Sequence, residues 1–150
     1  MPATASAIII RPAIASDEPR CLALLALLRG EESGPASAEV FRTLLAGERG
    51  LVLVAEEKAT GAVLGSASMT FNLALRYGGE YCQLEELIVD PAARGLKLGG
   101  LLMQAVIDAA RSRGCAELGL YLVEWSKGNQ PFYEKYGLRI VGSEMRISLE

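Results

Sequence analysis

The 150-residue chain has no histidine and only three cysteines. Without an imidazole, Ser–His and Cys–His nucleophile pairs are excluded and the commonest metal ligand is missing. Any proton transfer falls to Glu, Asp, Tyr, Lys, Cys, the chain termini or water. Cys21, Cys82 and Cys115 are odd in number, far apart and in no metal-ligand spacing. That pattern speaks against a disulfide framework and against a zinc site, and the three read as buried or incidental thiols. Positive charge is also short: 15 Lys and Arg stand against 18 Asp and Glu, for a net charge of -3, and no basic run occurs. Nucleic-acid binding rests on clustered positive charge, so no nucleic-acid partner is expected. No apolar stretch approaches the length of a membrane span, and residues 1–11 have neither the basic start nor the long apolar core of a signal peptide. The expectation is a cytoplasmic protein with no membrane partner.

What is present is enough for a core. Hydrophobic residues make up 51% of the chain and charged ones 22%, a globular balance. A single domain over residues 1–150 is expected, and one of that length buries roughly 70% of the surface its unfolded chain exposes.

The patterning predicts a strand at 8–11, then Ser16 and Asp17 as candidate caps for a helix over 21–28. Ser37 reads as the N-cap of a second helix carrying Val40, Phe41, Leu44 and Leu45. Strands at 51–55 and 62–71 flank a turn and form a hairpin, and a further strand at 81–89 ends at Asp90-Pro91. Leu98, Leu101, Leu102, Ala105, Val106 and Ala109 make a helical stripe over 97–113, closed by Gly114 with Arg111 and Arg113 in the last turn. A strand at 117–123, a short helix at 130–136 and a closing strand at 138–148 complete an α/β chain, a mixed sheet with helices on both faces.

The turn from the strand at 81–89 into the long helix reads Asp90-Pro91-Ala92-Ala93-Arg94-Gly95-Leu96-Lys97-Leu98-Gly99-Gly100. The first N–H groups of a helix have no internal partners, and with the macrodipole they form a natural seat for a phosphate. Gly95, Gly99 and Gly100 let backbone approach an anion, and Arg94 and Lys97 add positive charge. The P-loop and dinucleotide glycine patterns are both absent.

The run Leu84-Glu85-Glu86-Leu87-Ile88-Val89-Asp90-Pro91-Ala92-Ala93-Arg94-Gly95-Leu96-Lys97-Leu98-Gly99 resembles the signature L-x-x-L-x-V-x-P-x-x-[RQ]-G-x-G-x-[GA] of the GNAT N-acetyltransferases, small-molecule branch, with Lys97 in place of one glycine. Asn129-Gln130-Pro131-Phe132-Tyr133-Glu134-Lys135-Tyr136-Gly137-Leu138 resembles the family's N-x-x-F-Y-E-K-x-G-F segment. The resemblance implies the GNAT fold, a mostly antiparallel central sheet flanked by helices on both faces. It implies acetyl-CoA as co-substrate and no metal. Leu87, Ile88 and Val89 would pair with the pantetheine arm, Arg94, Gly95, Leu96, Lys97, Leu98, Gly99 and Gly100 would wrap the pyrophosphate, and Asn129, Phe132 and Tyr133 would touch the co-substrate. Tyr133 would protonate the departing CoA sulfur. A homodimer would fit the family, though no residue here establishes one.

Attack on a thioester needs a neutral amine, and freeing one from an ammonium with a pKa of about 10.4 costs about 4 to 5 kcal/mol at neutral pH. A base must assist. Glu85 and Glu86 on the strand before the phosphate loop are the candidates, with Glu85 preferred. Strand alternation sends them to opposite faces, and a bulge, which the resemblance implies here, can re-aim either. The backbone N–H of Leu87 would meet the oxyanion. By resemblance, the acceptor pocket is shaped by segments 28–37 and 72–81, where Glu31, Glu32 and Glu80 would suit a cationic small-molecule amine. Two rivals stand beside that reading: acetylation of a protein or peptide, and a non-catalytic acyl-CoA-binding module.

Overall fold

The computed structural model describes residues 7–93 and 95–150, and backbone alone at residues 124 and 125. Five strands form one sheet in the order β1 (Ile8–Pro12), β2 (Gly50–Glu57), β3 (Val63–Ala74), β4 (Gly79–Val89), β5 (Leu118–Leu120). The first three pairings are antiparallel and the last is parallel. The parallel step needs a crossover, because a hairpin can join only antiparallel neighbours. Helix α3 (Leu98–Arg113) supplies it, and it ends on Gly114 in the left-handed conformation, as its sequence signals predict.

Both faces of the sheet are covered. Leu53, Ala55, Ala67, Met69, Cys82 and Leu84 bury against Leu98, Leu102, Met103 and Val106 of α3. Val52, Val54, Val63 and Ile88 point the other way, onto helices α1 (Glu18–Arg29) and α2 (Pro35–Leu44) through Leu24, Phe41 and Leu44. Coverage on both sides explains why β2 reads as an unbroken apolar run rather than an alternation. The short helix α4 (Gln130–Glu134) and the turn that follows it lay Phe132, Tyr133 and Tyr136 against the α3-side core.

Three expectations need correction. Helix α2 begins at Pro35 with Gly34 as its N-cap, not at Ser37; a proline with no N–H to leave unpaired fits the first turn better. The strand expected at 117–123 is reduced to Leu118–Leu120. No closing strand forms at 138–148: the segment has no regular structure, and Val141, Met145 and Ile147 are exposed. Alternating apolar residues make a strand only where a neighbouring ladder accepts their backbone groups, and the three-residue β5 offers little ladder.

Burial pushes the thiols of Cys21 and Cys82 up to about 12, which keeps both protonated at neutral pH. Among the described residues no helix is long and apolar enough to cross a membrane, and no group of three or more Cys, Asp or Glu could hold a metal.

Candidate active site

Strand β4 is paired unevenly. On one side β3 accompanies it as far as Val89, whereas on the other β5 pairs with it only at Cys82, Gln83 and Leu84. Residues 85–89 therefore present an open edge, with backbone donors and acceptors that no described strand takes up. An extended ligand can add there as a strand would.

The register explains where the two glutamates go. Ser68 faces Glu86, but its neighbour Met69 faces Leu84, so Glu85 is an extra residue with no opposite number on β3. Such a bulge breaks the alternation. The Thr70 hydroxyl donates to the Glu85 carboxylate at 2.6 Å, and the Ser68 hydroxyl donates to the Glu86 carboxylate. Ser68 and Thr70 are two apart on one strand and share a face, so both carboxylates turn to the α1–α2 side.

Their surroundings differ. Glu86 lines an open cavity of about 280 Å³ between α1, α2 and the sheet, with Ser66, Ser68 and Ile88 beside it. Burial raises its carboxyl above the ordinary range, the Ser68 hydrogen bond opposes that, and the nearby Glu85 charge adds to it. Glu85 is exposed.

On the α3 side of β4, Leu87 and Val89 pack in the same apolar cluster as Phe132, Tyr133 and Tyr136. The Tyr133 ring meets Phe132 edge-on with centroids 5.1 Å apart, and burial pushes its phenol above the ordinary value. It lines a cleft with Leu120, Leu122 and Leu138. The open edge of β4 thus has a carboxylate on one side and a phenol on the other.

The start of α3 is a bare helix terminus. Its N-cap, Lys97, makes no side-chain capping bond, and its first turn holds no acidic residue. Lys97 has φ 59°, in the left-handed region, the one described non-glycine residue that does. It stands where the family signature has glycine, and it keeps the glycine-like backbone. Among the described residues none is seen to accept from the leading N–H groups, which suits them to a bound anion or water. Asp90 fixes the other end of the loop: Oδ1 accepts from the Ala92 N–H at 2.9 Å, and Oδ2 meets Arg20 Nη2 at 2.5 Å. Those two contacts hold its carboxyl below the usual range.

Of the expected phosphate-loop residues, Gly95 has φ 93°, Leu96 is exposed, and Leu98 is buried in the core, so Leu98 can offer only its backbone. Only Gly100 among them is tightly packed: a Cβ there would stand 2.5 Å from the Tyr136 hydroxyl, whereas one on Gly99 would make an ordinary contact with Phe132 at 3.6 Å. Arg94 lies outside the described residues. Ile88 is buried on the α1–α2 side, away from Leu87 and Val89, and Asn129 is exposed at the N-cap of α4.

The acidic acceptor residues fare less well. Glu80 is held by Arg113 at 2.8 Å, at the last turn of a helix whose 16 residues span about 24 Å, so it is not free for an amine beside the phosphate loop. The segment 72–81 is mostly strand, reduced to a tight connection at Leu75–Tyr77 and Gly78. Glu31 pairs with Arg29 at 2.7 Å. Glu32 is exposed.

Ser68, Thr70 and Arg20 went unread in the sequence. A signal existed for the first two: Ser66, Ser68, Thr70 and Asn72 place a polar group on every second residue of an otherwise apolar strand.

The family model described as Acetyltransferase (GNAT) family matches residues 20–138. A glucosamine 6-phosphate N-acetyltransferase of Trypanosoma brucei brucei is 35% identical over 91 residues, 60% of each chain. A thialysine N-epsilon-acetyltransferase of Sus scrofa is 24% identical over 59% of this chain and 52% of its own. The chain thus spans about three fifths of the first of these relatives and about half of the second. The crystal structure of an acetyltransferase from Trypanosoma brucei superimposes with TM-score 0.79 at 28% identity, over 95% of this chain and all of that one. One described as a transcriptional regulator from Bacillus halodurans C-125 reaches 0.83 at 24% identity over 95% of this chain and all of that one, a likeness of fold.

Proposed function

Because the chain belongs to the acetyltransferase (GNAT) family, we propose that it transfers the acetyl group of acetyl-CoA to a primary amine of a small molecule. The observation that carries this reading is the open edge of β4 at residues 85–89 lying beside an uncapped helix start. The residues suit the co-substrate: backbone of Leu87 and Val89 can take the pantetheine amides, and the N–H groups at the start of α3 can take the diphosphate, with Lys97 adding charge. The thioester supplies an activated acetyl carbon. The relatives named for glucosamine 6-phosphate and thialysine both act on small amines, which supports a small acceptor here.

The chain's own residues divide the proton work. Glu86 takes the ammonium proton, directly or through a water, and the freed nitrogen attacks the acetyl carbon. Glu86 is favoured over Glu85 because it is half-buried where Glu85 is exposed, and its raised carboxyl is a better match to the task, whereas sequence pattern alone leans to Glu85. The Leu87 N–H on the open edge faces the oxyanion. As the C–S bond breaks, Tyr133 gives its proton to the sulfur, the proton left on the new amide nitrogen passes through water to the Tyr133 phenolate, and Glu86 releases its proton to solvent.

Calorimetry with acetyl-CoA and thiol release across a panel of amines test the reading. Saturable binding with thiol release dependent on an amine is expected. Binding with no release on any amine would mean that the chain is an acyl-CoA-binding module.

A further inference from the structure

The cavity that holds Glu86 has walls of a definite chemistry. Leu22 and Leu25 of α1 and Val40 and Phe41 of α2 make its apolar walls, and Ser37, Ser66 and Ser68 put three hydroxyls among them beside Glu86. Arg29 is the one Lys or Arg among the lining residues, and its guanidinium is already paired with Glu31 at 2.7 Å. The cavity of about 280 Å³ lies at the small end of ligand pockets.

From these walls we infer that the acceptor is a primary amine on a compact hydrocarbon body, aliphatic or arylalkyl, not an amino-sugar phosphate. The inference rests on the reading of Glu86 as the group that receives the amine. A sugar phosphate brings several hydroxyls and about two negative charges. Most of its hydroxyls would face leucine, valine or phenylalanine and lose their water, with only the hydroxyls of Ser37, Ser66 and Ser68 in exchange, and the phosphate would meet one arginine already in an ion pair and a carboxylate of its own sign. A hydrocarbon body loses nothing of the kind: it leaves water for apolar walls while its ammonium meets Glu86.

The named sugar-phosphate relatives make this a sharp expectation, since similarity alone would favour their substrate. Side chains of helices α1 and α2 would set the acceptor, whereas the motif at residues 84–99 lies at the co-substrate end.

The test is thiol release with acetyl-CoA saturating, comparing isoamylamine and phenethylamine with glucosamine 6-phosphate and 2-aminoethylphosphonate. The two hydrocarbon amines should show kcat/KM at least about tenfold higher. Val40→Asp should raise their KM by about tenfold with the affinity for acetyl-CoA unchanged. Val40 is 58% exposed on α2, so the variant should fold, and the unchanged affinity will show that it has. Leu25→Asn provides a second wall variant with the same expected direction. Preference for glucosamine 6-phosphate, or hydrocarbon-amine KM values that neither variant moves, would overturn this inference and leave the acetyltransferase reading standing. Thiol release with no amine at all, despite binding of acetyl-CoA, would sink both.

Discussion

The Ser68 hydroxyl donates to the Glu86 carboxylate across the β3–β4 pairing, in the open cavity between α1, α2 and the sheet. This hydrogen bond favours the charged form and so works against the burial that raises the carboxyl. Removing it with Ser68→Ala leaves burial less opposed. The acid limb of kcat/KM, which reports deprotonation of the base, should then move to higher pH. Glu86→Gln should lower kcat by about 10²-fold at neutral pH, the lower end for loss of a general base. The same profile recorded for Glu85→Gln should stay close to wild type. If Glu85→Gln is crippled and Glu86→Gln is not, the two carboxylates have exchanged roles.

The same shift has a cost in stability. Glu86 is raised in the folded state, so the native chain holds its proton more tightly than the unfolded chain does. That contribution is fully present below the unfolded pKa and is lost as pH rises through the raised folded value. At neutral pH the charge is buried at a penalty, which a neutral amide of the same shape avoids. Glu86→Gln should therefore be more stable than wild type in urea at pH 7 and nearly equal to it at pH 4. Equal stability at both would show that the carboxylate is as well solvated folded as unfolded.

How far the sequence could be read depended on whether a feature is local. Helix α3 was legible from its stripe and Gly114, and strands β2 to β4 from apolar runs bounded by turns, because each signal lies within the element itself. The bulge at Glu85 is a relation between two strands, set by Met69 facing Leu84, so residue pattern on β4 alone sends the two glutamates to opposite faces. The failed strand at 138–148 has the same origin: alternation gives a strand's faces but cannot supply its neighbour. Glu80 was misjudged because its partner Arg113 is distant in sequence and joins it only when α3 is laid on the sheet. Pro35 was a misreading of a local signal that was present.

Arg11 grips Asp17 in a two-pronged contact at 2.7 and 3.1 Å, and the same carboxylate accepts the Ile14 N–H at 2.8 Å. The guanidinium bond is the main reason that the Asp17 carboxyl lies below its ordinary range, against an opposing push from burial. A depressed folded pKa contributes stability that is present above the unfolded value, about 3.9, and fades as pH falls through the folded one. Asp17→Asn should cost about 1.5–3 kcal/mol at pH 7, the worth of hydrogen bonds to a charged group. The deficit should shrink in urea titrations carried toward pH 2. A constant deficit would assign the effect to packing at the entry to α1.

Lys97 takes a left-handed backbone at the point where α3 begins. A Cβ there costs roughly 1–2 kcal/mol, partly offset in Lys97→Gly by the greater freedom of glycine in the unfolded chain. The net expectation is a gain of about 0.5–1 kcal/mol, measurable by chemical denaturation. Loss of stability would mean that the lysine stem packs favourably enough to outweigh the strain.

Tyr133 is half-buried against Phe132, and burial raises its phenol, so it stays protonated across the range in which the enzyme would be assayed. Its proposed partner is a thiolate, whose parent thiol titrates at about 8.5 when unperturbed. Below that pH the sulfur leaves more readily with a proton, and above it the thiolate departs unaided. Tyr133→Phe keeps the ring and its edge contact with Phe132 while deleting the proton. It should therefore lower kcat by about 10- to 100-fold at neutral pH, leave the affinity for acetyl-CoA unchanged, and recover part of the loss as pH rises past about 8.5. A purely packing role for Tyr133 predicts a different outcome, kcat unaltered at every pH, because the apolar contacts survive the substitution intact.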